Sequence, residues 1–105
     1  MRLNQLHILT ALADGDSHGS AITRDVLDQT AGQLRLWPAT LYRSLDELAT
    51  EGWIMELAGD LHPEGESEKK RYYRLTASGR LALSAEANRL ADLAALARTR
   101  LRGTQ

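Results

Sequence analysis

One segment narrows the possible folds of this chain more than any other: residues 37–53, WPATLYRSLDELATEGW. Pro38 suits the first position of a helix, where its missing N–H leaves nothing unsatisfied. Leu41, Leu45 and Leu48 then recur at i, i+4 and i+7, and Gly52 closes the pattern. At ~100° per residue these positions share about one-fifth of the helix circumference. That side is predicted to be buried. Ala39, Arg43 and Glu47 fall on or near the opposite side, with Thr40 beside them and Tyr42 on the flank.

The flanking segments give this helix a context. Residues 2–13 carry Leu3, Leu6 and Leu9, with Ile8 and Leu12 alongside, the spacing of an amphipathic helix that Asp14-Gly15-Asp16 ends. Ser17 is placed to cap a second helix over about 18–30, with Ala21, Ile22 and Val26 on one face and Gly32 soon after its end. Leu34-Arg35-Leu36 alternates as a brief strand would. After the third helix, residues 53–60 read as a strand, LHPEGESEKK as a polar loop, and RYYRLT (71–76) as an antiparallel returning strand. Thr76 or Ser78 can cap a long last helix, roughly 77–101.

Three helices followed by a two-stranded hairpin predict a mostly α fold with a small β-hairpin (α+β). This is a winged helix-turn-helix with an appended C-terminal dimerisation helix. The expected division is a DNA-binding domain over residues 1–76, then the dimerisation helix and tail over 77–105.

Composition removes several other classes. The chain has no Cys, so it can form neither a disulfide framework nor a thiolate metal site. No apolar run reaches the ~18 residues of a membrane span, and the N-terminus lacks the layout of a signal peptide, so the cytoplasm is the expected location and no membrane partner is expected. His7, His18 and His62 lack metal-ligand spacing, and no nucleophile motif or phosphate loop is present, so neither catalysis nor a cofactor is expected. His18 is expected to lie against the domain's own surface. The net charge of −1 hides a strong local polarity: Asp60, Glu64, Glu66 and Glu68 precede Lys69, Lys70, Arg71 and Arg74. Any contact with a polyanion must therefore be local.

Two surfaces fit such a contact. At the start of the third helix, Ala39 permits close approach, Thr40 and Tyr42 can donate to phosphate, and Arg43 can bind a guanine edge or a phosphate. Ser44 completes the first turn and a half. Asp46, Glu47 and Glu51 would repel phosphate, so the helix is expected to enter a groove tip first. Lys69, Lys70 and Arg71 form the basic end of the hairpin loop. On the returning strand, Arg71 and Tyr73 are expected on the side of the core-facing Leu75, with Tyr72 and Arg74 opposite. An ordinary surface helix and a Lys-protected sheet edge are the competing explanations.

The last helix carries Leu83, Ala87, Leu90, Ala94, Ala97 and Leu101 at intervals of 4, 3, 4, 3 and 4, an a/d heptad pattern. A lone helix beyond a small domain has little core left to cover. A homodimer interface is therefore expected, with Leu3 and Leu6 of the first helix as its second element; folding back on its own domain is the alternative.

With these residues assembled, the chain resembles the PadR family of bacterial transcriptional regulators, specifically its short members with a single C-terminal helix. LHILTALADGDSHG, PATLYRSLDELATEGWI and KKRYYRLTASGR carry the likeness across about residues 6–80. The resemblance implies a homodimeric repressor of its own or neighbouring genes, bound to double-stranded operator DNA and released by a small-molecule inducer. It places Thr40, Tyr42 and their neighbours in the major groove and Lys69, Lys70 and Arg71 in the wing. Trp37 stands where the family commonly has a capping residue, Ala39 where it often has Gly, and Ser20 where it often has Tyr. The last helix has no aromatic residue, so the drug-stacking Trp of some short members has no counterpart here. A winged-helix protein–protein module without DNA binding is the alternative.

Overall fold

In the computed structural model, which describes residues 1–63 and 70–103, the expected helices form with small shifts in their ends. They are α1 (Leu3–Ala13), α2 (Gly19–Gln29), α3 (Pro38–Thr50) and α4 (Ala77–Gly103). The strands are β1 (Ser17–His18), β2 (Ile54–Glu56) and β3 (Tyr72–Leu75), in an antiparallel sheet of order β1-β3-β2. A 3-10 turn at Gly59–Leu61 follows β2. The fold is the expected winged helix-turn-helix. Ile8, Leu9 and Leu12 of α1, Ile22 and Val26 of α2, and the Leu41, Leu45 and Leu48 stripe of α3 meet Ile54, Tyr73 and Leu75 of the sheet in one core.

The third strand is not where the alternation at 34–36 puts it. Leu34 and Leu36 turn inward and Arg35 outward, but the segment pairs with no strand. Alternation reports which side chains face the core, and an extended anchor satisfies it as well as a ladder does. The free edge of β3 is taken instead by Ser17 and His18, opposite Tyr73 and Tyr72. Ser17 is therefore a strand residue. His18 occupies the N-cap of α2, with no side-chain cap.

Two helix ends show how local chemistry sets the path of the chain. After α3, the Gly52 N–H donates to the Ala49 carbonyl (3.0 Å) and the Trp53 N–H to the Leu48 carbonyl (3.1 Å), with Gly52 at φ 79°. This is the paired closure that favours glycine in the left-handed region. After α2 the same two bonds form, Ala31 to Asp28 and Gly32 to Leu27, but the left-handed position is Ala31, at φ 52°. A Cβ there costs ~1–2 kcal/mol, part of which glycine gives back through its looser unfolded chain. Ala31→Gly is expected to raise stability by roughly 0.5–1 kcal/mol in chemical denaturation. A lower midpoint in the variant would show that the turn carries no strain.

Thr76 caps the start of α4: its hydroxyl accepts from the Gly79 N–H (3.0 Å) and donates to the Gly52 carbonyl (2.6 Å). Its first turns lie against α1, with Leu83 packed on the core. Leu6, His7 and Thr10 face Leu83, Ala87 and Leu90 across an open apolar groove of about 530 Å³. Beyond Leu90 every described residue of α4 is exposed, and the helix gives the molecule its longest dimension of 58 Å.

Candidate nucleic-acid interface

The first turns of α3 face outward. Ala39 and Arg43 are exposed, and Thr40 and Tyr42 are half-buried. Ser44 is only 6% exposed, which removes it from the candidate contacts. The helical wheel carries the signal: Ser44 lies ~60° from Leu41 and ~40° from Leu48, beside the leucine stripe. Arg43 makes no ion pair among the described residues.

One flank of this tip is shared with α1. Arg2 and Gln5 join Ala39, Arg43, Asp46 and Glu47 around a shallow hollow of about 660 Å³. Arg2 forms an ion pair with Glu47. One carboxylate of the repulsive C-terminal half of α3 is thereby offset, a partnership that a residue so near the chain start does not announce.

The other flank is closed by α2 and the sheet. A Cβ on Gly19 would lie 2.6 Å from the Tyr42 hydroxyl, so this glycine lets α2 approach the phenol. The Arg71 guanidinium sits 5.2 Å from the Tyr42 ring centroid and 5.7 Å from that of Tyr73. Its Nε and one Nη donate to a single Glu56 oxygen, at 3.2 and 2.8 Å, and this bond raises its pKa further above the usual arginine value. Lys70 joins Arg71, Tyr42, His18 and Ser20 around a cleft of about 270 Å³. Tyr42, Lys70 and Arg71 are thus brought together; Lys69 lies outside the described residues.

The strand behind them departs from simple alternation. Tyr73 and Leu75 face the core as expected, but Tyr72 on the other face is buried too, beneath the rings of His18 (5.2 Å) and His62 (4.7 Å). His18 therefore does pack on the domain's own surface. Burial pushes the Tyr73 phenol up to about 12, against the lowering effect of Arg71, so it stays protonated. Arg74 is exposed, and its Nε and Nη2 donate to the two oxygens of Asp16, at 3.0 and 2.8 Å.

Three further residues border the tip: Ser20, Thr23 and Arg35 line a cleft of about 370 Å³ with Trp37 and Tyr42. Arg35 could have been noticed as the outward member of Leu34-Arg35-Leu36. Ser20 and Thr23 depend on how α2 crosses α3, which local pattern does not encode. Among the described residues no group of His, Asp and Glu could hold a metal ion, and no helix is long and apolar enough to cross a membrane.

The apolar surface lies elsewhere, along α1 and α4. Leu3 (62% exposed) and Leu101 (68% exposed) mark its extremes, with Ala87, Ala94 and Ala97 exposed and Leu6, Leu83 and Leu90 half-buried between them.

An exposed third-helix tip flanked by a cationic hairpin base defines the class: a winged helix-turn-helix protein. The chain belongs to the PadR-like family of transcriptional regulators, whose model matches residues 8–85; such proteins are DNA-binding regulators, not enzymes. It is 31% identical over 90 residues to the transcriptional regulator Rv3488 of Mycobacterium tuberculosis, covering 86% of this chain and 78% of that protein. It is 37% identical over 95 residues to an uncharacterised 37.1 kDa protein of transposon TN4556 from Streptomyces fradiae; the match takes in 89% of this chain but only 25% of that protein. Its fold is similar to that of Bacillus subtilis PadR in complex with operator DNA, at a TM-score of 0.67 and 26% identity, over 82% of this chain and 47% of that one.

Proposed function

We propose that this protein is a cytoplasmic, homodimeric, sequence-specific DNA-binding repressor of its own or neighbouring genes, released by a small ligand. The observation that carries the proposal is the outward tip of α3: Ala39, Tyr42 and Arg43 border one hollow, Tyr42 also borders a cleft with Lys70 and Arg71, and Arg43 makes no ion pair among the described residues. The operator complex of Bacillus subtilis PadR supports DNA as the partner. The tips enter the major groove, Arg43 reads a base edge, and Thr40 and Tyr42 donate to phosphates. Arg71 exchanges Glu56 for a phosphate, while Lys70, with Lys69 beside it in the sequence, reaches the flanking backbone. The open α1–α4 groove and the exposed stripe beyond it form the dimer seam, which sets the two tips against successive half-sites.

The test is binding to the DNA upstream of its own gene across a salt series. Neutralised phosphates release counterions, so affinity is expected to fall steeply as salt rises. Arg43→Ala is expected to lose roughly tenfold or more on the preferred duplex and much less on a scrambled one. Equal weakening on both would remove Arg43 from base reading. A flat salt response of the wild type would favour a protein-interaction module instead.

A further inference from the structure

We infer that Arg35, held on the face of Trp37, is a DNA phosphate contact at the edge of the α3 tip, with Trp37 as its positioning residue. The inference rests on the DNA-binding function proposed above. Trp37 is 62% exposed, whereas Tyr42 and Trp53 are half-buried and Tyr72 and Tyr73 are buried. It also occupies the N-cap of α3 without a side-chain cap, a position where Ser, Thr, Asp or Asn would stabilise the helix. The fold therefore gains little burial and no side-chain cap from this indole.

What the indole does hold is a cation. The Arg35 guanidinium carbon lies 4.5 Å from the Trp37 ring centroid. A cation–π contact requires no N–H acceptor, so it does not commit the guanidinium donors to an oxygen ligand. Arg71 and Arg74 instead spend N–H groups on Glu56 and Asp16. Arg35 makes no ion pair among the described residues. Arg35 and Trp37 share one cleft with Ser20, Thr23 and Tyr42, so the stack is continuous with the surface that presents the tip. An oriented guanidinium with free donors suits a phosphate oxygen and loses little rotamer freedom on binding.

The experiment measures binding of the full chain to a labelled upstream duplex and a scrambled duplex across a salt series. Thermal melting of each variant runs alongside. Arg35→Ala is expected to weaken both duplexes by a similar factor, roughly tenfold, and to lower the salt slope by about one. Trp37→Ser supplies the missing cap, so its melting temperature should hold or rise while DNA affinity falls about two- to fivefold. Trp37→Tyr keeps an aromatic face and should recover most of that loss. Wild-type affinity and slope in both Arg35→Ala and Trp37→Ser, with Arg43→Ala still impaired, would overturn the stack and leave the DNA-binding function intact. A wild type without salt-sensitive DNA binding would overturn both.

Discussion

Gly79→Ala is expected to lower stability by about 3 kcal/mol or more, a loss of roughly 12–24 °C in melting temperature for a domain of this size. In an ordinary exposed helix the same change would stabilise by up to ~1 kcal/mol, so the two expectations differ in sign. The difference arises because the first turn of α4 lies against the backbone of Trp53, in the turn between α3 and β2. An added Cβ would overlap the Trp53 carbonyl oxygen and lie 2.8 Å from both the Trp53 carbonyl carbon and Leu75 Cδ1. The obstacle is backbone, which cannot rotate away as a side chain can. The same carbonyl accepts from the Thr76 N–H at 3.0 Å. Moving α4 away would break that bond and the Thr76 hydroxyl bond to Gly52 as well. A Gly79→Ala protein melting within a few degrees of wild type would show that α4 does not pack this closely.

Leu90→Asp is expected to give a monomer in sedimentation and to weaken DNA binding about a hundredfold or more, because the second half-site contact would no longer be intramolecular. Leu90 is half-buried in the groove opposite Leu6, His7 and Thr10, where a carboxylate would lack a partner once a second copy covered it. Ala97→Asp guards against simple unfolding. Ala97 lies on the exposed length of α4, so its substitution leaves the domain core untouched and should still break the dimer. Dimers persisting in both variants would mean that the seam runs along another surface.

Much of this architecture is legible in the residues themselves. Leu41, Leu45 and Leu48 announce a buried face, Pro38 and Gly52 mark the ends of the helix, and all three leucines are core residues. Such features are local: helix geometry places i, i+4 and i+7 together whatever the rest of the chain does. The same wheel places Ser44 inside, beside the leucine stripe. Inward alternation at Leu34-Arg35-Leu36 was equally readable, but strand pairing was not. A ladder needs a second strand, and only the folded chain brings Ser17 and His18 to Tyr73 and Tyr72.

The candidate site divides along the same line. By itself the sequence determined the helix order, the outward tip with Ala39 and Arg43 exposed and Thr40 and Tyr42 beside them, the family motifs and the heptad stripe of α4, because each depends on residues close along the chain. The tertiary structure decided which cations are free. Asp16 is 58 positions from Arg74, Glu56 is 15 from Arg71, and Arg2 meets Glu47 on another helix. Only the fold sets those distances, and Coulomb and hydrogen-bond energies depend on distance, so composition could count the charges but not pair them.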